Sequence, residues 1–256
     1  MNNDLVSIIM PSYNCGKYVE QTIRSVQAQT YQNWEIIFVD DCSKDDTIQR
    51  VSELREQDLR IKLFQNKVNS GAAVSRNNAL REAKGRWIAL LDSDDLWEPT
   101  KLDKQVRFME ENGYAFSYTE YQEMDADGNL TGVTISGPKH VTKRGMYNFC
   151  WPGCLTVMYD ADKIGLIQVN DVKKNNDTAM WLKVVQKSPC FLLKENLARY
   201  RRRTDSITPK PLYKKILAHY PLFRVAEDMH PLRASFWVVV NVFGNSFKKL
   251  FYVKKA

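Results

Sequence analysis

Trp87-Ile88-Ala89-Leu90-Leu91-Asp92-Ser93-Asp94-Asp95 passes from five apolar residues straight into three carboxylates within four positions. The apolar run reads as a buried strand. Carboxylates crowded at its end repel one another and resist losing water. A divalent cation offsets both penalties, because hard cations take oxygen ligands and shed only part of their hydration. Diphosphate esters bring such a cation with them. The segment therefore reads as a metal and nucleotide-diphosphate site at the carboxyl end of a sheet strand. A solvated acidic turn is the competing reading of this segment alone.

The chain before it repeats one design. Residues 6–10 read as a short buried strand closed by Pro11-Ser12-Tyr13-Asn14, and helical spacing follows over 16–30. A second strand, 34–39, ends in Asp40-Asp41-Cys42-Ser43, and the next helix carries Asp45 or Asp46 in its first turn. Residues 61–64 read as a third strand. A helix then runs from Asn69-Ser70-Gly71 to Lys84, with Gly85 as its C-cap. This alternation predicts an α/β fold, a Rossmann-like, mostly parallel sheet with helices on both faces. Ligands of such sheets bind at the carboxyl ends of strands, near a switch in strand order. Each polar cluster named above falls at such an end.

The second half is less regular. Residues 101–112 read as an amphipathic helix and 115–124 as a strand, followed by the hairpin turn Asp125-Ala126-Asp127-Gly128. An apolar strand is expected at 155–158 and a helix at 177–187 that buries Met180, Trp181, Val184 and Val185. Short strands are expected at 191–193 and 197–200.

With 256 residues, 44% hydrophobic and 26% charged, the chain can bury a proper core. Its longest apolar stretch, 236–240, falls far short of the ~20 residues that span a bilayer. The amino terminus shows no signal-peptide pattern. Five cysteines without C-x-x-C spacing read as reduced structural thiols, so a cytoplasmic location is expected. Charge is uneven: residues 194–256 hold 14 Lys/Arg against 4 Asp/Glu, while the first 193 are slightly acidic. Basic tails approach anionic lipid, nucleic acid or phosphate-rich ligands.

Several of these pieces occur together: Ser7-Ile8-Ile9-Met10-Pro11-Ser12-Tyr13-Asn14, Val39-Asp40-Asp41-Cys42-Ser43-Lys44-Asp45-Asp46-Thr47, Asn69-Ser70-Gly71 with Ser75-Arg76-Asn77, Leu91-Asp92-Ser93-Asp94-Asp95, and Asn176-Asp177-Thr178-Ala179-Met180-Trp181-Leu182. In order and spacing, over roughly residues 5–205, they resemble the inverting nucleotide-sugar glycosyltransferases of family 2, with a GT-A type fold. Cys154-Leu155-Thr156-Val157-Met158-Tyr159-Asp160 resembles members that extend bacterial surface polysaccharides, of O-antigen and teichuronic acid type, on lipid carriers.

The resemblance implies a division of labour. Asp94 would ligate Mn²⁺ or Mg²⁺ directly, and Asp92 would contact metal or ribose, with Ser93 beside the nucleotide. Asp95 would support the metal or touch the donor sugar, or else cap a helix before Leu96. Asp41 resembles the uracil-contacting carboxylate, and Asp40 either shares that role or holds its loop. Pro11 and Tyr13 would flank the base. Arg76 would face the nucleotide or pair with Asp92 or Asp41. Asp177 is the expected general base, at a helix N-terminus that favours its anion. Many relatives carry an acid where this chain has Asn176. Trp181 is a candidate for lining the acceptor, with a core position as the alternative. Tyr200-Arg201-Arg202-Arg203 resembles the stretch that folds over the diphosphate, with Arg201 the candidate contact.

The expected organisation is a glycosyltransferase domain over 1–205, with a nucleotide-binding half to about 98 and an acceptor half from 99. A basic amphipathic helical tail follows over 206–256. The expected function is metal-dependent, inverting transfer of one sugar from a UDP-sugar to a polyprenyl-diphosphate-linked saccharide, in bacterial cell-surface polysaccharide biosynthesis. The tail suits an anionic bilayer, which would put the protein on the inner face of the plasma membrane. Docking on the catalytic domain or in a homodimer is the competing reading, and no nucleic acid is expected. The rivals are a non-catalytic nucleotide-sugar-binding scaffold and a nucleotidyltransferase. The latter would carry a Gly-rich basic loop where this chain has Pro11-Ser12-Tyr13-Asn14.

Overall fold

The computed structural model describes residues 4–169, 172, 175–203 and 219–255. Its centre is four parallel strands in the order β3-β2-β1-β4: β1 (Val6–Ser12), β2 (Trp34–Asp40), β3 (Ile61–Gln65) and β4 (Trp87–Leu90). Helices α1 (Gly16–Gln27), α2 (Thr47–Gln57) and α3 (Ala72–Glu82) connect them. β1 is buried along its whole length, and its side chains alternate between two cores. Ile8 and Met10 join one core with α1, α2 and α4 (Lys101–Asn112), whereas Ile9 joins the other with α3 and α7 (Asn176–Lys187). Helices on both faces, as the sequence predicts, follow from that alternation. The chain turns back across β1 between β3 and β4, which makes the end of β1 the switch in strand order.

Beyond β4 the sheet becomes antiparallel. β9 (Met158–Asp160) pairs with β4 and with β6 (Phe116–Met124), and β6 forms a hairpin with β7 (Leu130–Ile135) through the expected turn at Gly128. The two short strands expected at 191–193 and 197–200 are one strand, β10 (Cys190–Arg201), parallel to β6 with two register shifts. β10 also pairs with β5 (Leu96–Trp97) and β8 (His140–Val141). The apolar run at 155–158 is a 3₁₀ turn (Cys154–Thr156) leading into β9, because Gly153 fixes a turn there through its carbonyl. Asp45 and Asp46 precede α2, and Asp45 accepts from the Thr47 N–H. Gly85 is no C-cap. A Cβ there would lie 2.5 Å from the Leu5 carbonyl oxygen, so glycine lets the chain pass under β1.

α5 (Lys143–Asn148) and α6 (Ala161–Ile164) complete the second half, and α8 (Pro231–Phe251) with β11 (Val253–Lys255) packs onto it. β11 pairs with β7, so the tail is an integral layer of the fold over its described residues. The expected boundary at 205/206 lies outside the described residues. No helix among the described residues is long and apolar enough to cross a membrane.

Lys101 is the exception in the core. It is fully buried, with no hydrogen-bond partner among the described residues, and its Nζ lies 3.8 Å from the centroid of the Trp97 ring. The ring face favours an ammonium, but burial dominates and holds the group well below the usual lysine range. The unfolded chain then binds a proton that the folded chain does not, so this residue's contribution to stability improves as pH rises toward the ordinary lysine range. Lys101→Met is expected to raise stability near neutral pH by about 1–3 kcal/mol, since it removes an unsatisfied buried donor. Chemical denaturation at pH 7 and pH 9 checks this, with the gain smaller at pH 9.

Candidate active site

The carboxyl ends of β1, β2 and β4 converge on one opening, and the backbone around it is strained. Asn14, Cys42 and Asn175, all non-glycine, hold left-handed φ values of 51°, 63° and 56°. Asn14 lies two residues beyond β1, Cys42 follows the Asp40–Asp41 pair, and Asn175 precedes α7.

Asp40 is fully buried and organises its own loop, accepting from the Ser43 N–H at 2.9 Å and from Gln65 Nε2 at 3.3 Å. Asp41 reaches the other way. Its Oδ1 accepts from Asn66 Nδ2 and the Ser70 N–H, both at 2.8 Å, and its Oδ2 accepts from the Gly71 N–H at 2.7 Å. It thereby anchors the N-terminal end of α3, while Oδ2 keeps acceptor capacity beyond that one bond. Pro11 is buried in β1, whereas the Tyr13 side chain after it is 47% exposed and is not core filler.

Arg76 ties the site together. Projecting from α3 and nearly fully buried, it donates through Nη2 to Asp92 Oδ1 at 2.7 Å and through Nη1 to Asn176 Oδ1. Burial works against its charge, but Cys154, Asp92 and Asp177 outweigh that and hold it above the ordinary arginine value. The guanidinium thus joins the acidic end of β4 to the first turn of α7. Asn176 supplies the second of these contacts. Asp177 sits beside it, half-buried, with its Oδ1 accepting the Thr178 N–H at 2.7 Å. Cys154 Sγ lies 3.6 Å from Arg76 Nη2 and 3.8 Å from Asp92 Oδ1, closing the floor between them.

The other carboxylates differ from one another. Burial, then the charge of Asp92, pushes the Asp94 carboxyl up from its ordinary value, while Arg203 Nη1 lies 3.2 Å from its Oδ2 and opposes the rise. Burial and the charges of Asp94 and Asp92 push Asp95 well above the usual carboxylate range. Its Oδ1 accepts the Arg201 N–H at 2.8 Å, fastening β10 to the acidic turn. Leu96 opens β5, not a helix, so Asp95 caps nothing. Ser93 is buried beneath the opening, and its carbonyl accepts the Thr22 hydroxyl at 3.0 Å.

Two sequence candidates are buried among the protein's own groups. Trp181 is fully buried against Phe116, 5.8 Å between ring centroids, which makes it a core tryptophan. Arg201 is buried and fully engaged, donating to the carbonyls of Asp94 and Ala126 and to Gln21 Oε1. Arg203, two residues on, is the arginine at the carboxylates. Sequence reading places the stretch 200–203 over the diphosphate but chooses Arg201 within it, although the alternation of a strand puts 201 and 203 on one side. It misses Cys154 as a wall of the site.

Among the described residues no group of three or more His, Cys, Asp or Glu side chains is arranged to hold a metal ion by itself. The donor set still suits a hard cation that arrives with a diphosphate. Asp94 offers a carboxylate whose charge is raised in energy by burial and by Asp92, and which Arg203 offsets in part.

A doubly wound parallel half, closed by antiparallel strands that carry a carboxylate-bearing helix to the same opening, defines a GT-A type fold. Residues 7–152 match the model of glycosyl transferase family 2. The chain belongs to glycosyltransferase family 2 and is a glycosyltransferase. It is 39% identical over 246 residues to TuaG of Bacillus subtilis (strain 168), a glycosyltransferase assigned provisionally to teichuronic acid biosynthesis. That match covers 96% of this chain and 97% of the relative. It is 41% identical over 184 residues to the Escherichia coli UDP-Glc:alpha-D-GlcNAc-diphosphoundecaprenol beta-1,3-glucosyltransferase WfaP, covering 72% of this chain and 71% of the relative. The fold matches the crystal structure of S. aureus TarS 1–349 in complex with UDP-GlcNAc, with a TM-score of 0.69 at 22% identity, over 96% of this chain and 74% of the other.

Proposed function

We propose that this glycosyltransferase moves one sugar from a UDP-sugar to a lipid-linked saccharide of a bacterial surface polymer, with inversion at the anomeric carbon. The observation that carries this reading is the bridge from Asp92 through Arg76 to Asn176, which holds a diphosphate-facing strand end and a helix-borne carboxylate in one site. WfaP, whose name gives a UDP-glucose donor and a diphosphoundecaprenol-linked acceptor, supports the choice of substrates. A location at the inner face of the plasma membrane, where such an acceptor would be met, goes with it.

In this reading Tyr13 stacks on or packs against the uracil, the backbone at Pro11 flanks it, and Asp41 accepts its N–H. Asp92 contacts the ribose, and Asp94 would be the direct ligand of Mn²⁺ or Mg²⁺. That cation, when bound, neutralises charge on the departing diphosphate. Arg203, beside Asp94, adds positive charge for the diphosphate to meet. Asp177 takes the acceptor proton as the acceptor oxygen attacks the anomeric carbon from the face opposite the diphosphate. The bond from that carbon to the diphosphate oxygen breaks, and UDP leaves. One displacement of this kind inverts the centre.

The two arginines separate experimentally. Arg201→Ala is expected to lower stability by about 2–3 kcal/mol, because carbonyls buried around it lose a charged donor. Arg203→Ala, which takes the arginine from the part-buried Asp94, is expected to cost less stability than Arg201→Ala and to weaken UDP-sugar binding about tenfold or more. Thermal melts and donor titrations on both variants check the pair. The reading as a whole is tested by titrating uridine, guanosine and thymidine diphosphate sugars into the protein with and without Mn²⁺. Metal-dependent binding and slow hydrolysis of a uridine sugar is expected. Binding without any turnover, even with acceptor saccharides present, would favour the scaffold.

A further inference from the structure

Helix α8 is amphipathic in an unusual sense: it is fixed to the protein by one face and leaves a second apolar face in the open. The fixed face is well defined. Ala234, Val238 and Asn241 are buried, and Asn241 Nδ2 donates to the Tyr147 carbonyl at 3.3 Å. Gly244 passes so close to α5 that a Cβ would lie 2.3 Å from the Asn148 carbonyl oxygen. Trp237 packs on Tyr147, and β11 then joins the sheet edge at β7. The helix cannot roll to hide its other side without breaking these contacts.

That other side carries Leu232, Phe236, Val239, Phe243, Phe247 and Leu250, at spacings of three and four residues along one stripe. Leu232 is 77%, Phe243 71% and Leu250 76% exposed. A stripe of large apolar side chains this continuous marks an interaction surface. The charges beside it select the partner. Helix α8 contains Arg233, Lys248 and Lys249 and no Asp or Glu, and Lys254 and Lys255 follow it. Two copies pairing through the stripe would set the basic residues of α8 against one another in either orientation, and α8 itself supplies no acid to relieve them. An anionic surface would meet the exposed Arg233, Lys249, Lys254 and Lys255 favourably, whereas Lys248 turns to the Phe149 ring on the fixed face.

We propose that this stripe of α8 is a bilayer-docking surface, lying flat in the headgroup region of an anionic membrane with the terminal lysines on its lipid phosphates. The proposal deepens the lipid-linked acceptor reading and rests on it for the reason a membrane is visited. The fold places the helix suitably for that. The segment under its C-terminal half, around Phe149 and Trp151, continues directly to Cys154 beside Arg76, and Lys248 lies 4.9 Å from the Phe149 ring. An acceptor whose lipid stays in the bilayer would then present its saccharide on the Asp177 side of the site.

The test is flotation of the full chain with vesicles rich in phosphatidylglycerol and with vesicles of phosphatidylcholine alone. The wild type is expected to bind the anionic vesicles at least about tenfold more strongly, and to lose that preference at high salt. The double variant Phe243→Glu, Leu250→Glu is expected to lose binding about tenfold or more, with its melting temperature and UDP binding unchanged. Replacing Lys249, Lys254 and Lys255 by Gln is expected to abolish only the anionic preference. Wild type that fails to float with anionic vesicles, or a Glu variant that floats equally well, overturns the proposal. So does a wild-type dimer in solution that Phe243→Glu converts to monomer, since the stripe then belongs to a second copy. Donor binding and transfer to a detergent-solubilised acceptor are read separately, so failure of the docking surface leaves the transferase reading intact and the converse also holds.

Discussion

Asp177→Asn is expected to lower the rate of sugar transfer by about 10²- to 10⁴-fold, the range over which a positioned general base contributes. Donor affinity should stay within about twofold of wild type, because Asp177 sits on α7 and touches neither the β2 nor the β4 strand end. Its carboxylate is held by the Thr178 N–H and by the field of the adjacent helix terminus, and an amide can replace it there without loss of the helix. The neighbouring Asn176 is the internal control. Asn176→Asp adds a second carboxylate against Arg76 without moving the first, so it should not rescue Asp177→Asn. Steady-state kinetics with a saccharide acceptor and a donor titration on the same preparations separate a lost base from a lost fold.

Arg76→Gln is the second large effect, and it falls on stability and activity together. The guanidinium is buried and bridges Asp92 and Asn176. Removing it leaves Asp92 beside Asp94 and Asp95 with no cation of its own, and breaking a buried pair in this way costs about 3–5 kcal/mol. Asp92 is about one-third exposed, which puts the expectation at the low end of that range. Transfer should fall about 10²- to 10³-fold, as when one preorganised electrostatic contact is removed from a reaction site. Arg76→Lys should restore part of the stability and little of the rate, because an ammonium at the end of a flexible stem cannot hold two partners in a fixed fork. Denaturant melts and kinetics on the pair of variants check both claims.

What the sequence made legible follows from how local each signal is. The acidic turn at 92–95, the β-α alternation before it and the start of α7 are each written in contiguous residues, and each stands where expected. The hairpin at Gly128 is equally local. What escaped depends on contacts between distant segments. Gly85 looks like a helix cap until the Leu5 backbone is seen beneath it. Trp181 is buried as the apolar spacing of its helix reads it, and only the fold shows that Phe116 of β6 is the residue it packs on. Arg201 and Arg203 are indistinguishable as letters. Only the docking of β10 beside the acidic turn assigns the first to structure and the second to Asp94. The tail left two readings level, a lipid-facing helix and a docked one. The fold accommodates a docked face and an exposed face on the same helix.

The most direct test of the account is the configuration of the sugar first formed from an α-linked UDP-sugar, followed by proton NMR in the presence of Mn²⁺ before mutarotation sets in. A single displacement assisted by Asp177 predicts that the β anomer, or a β-linked product when acceptor is present, appears first and that Asp177→Asn abolishes it. First appearance of the α anomer would contradict the account, because retention requires a different arrangement of groups from the one built around Arg76, Asp94 and Asp177.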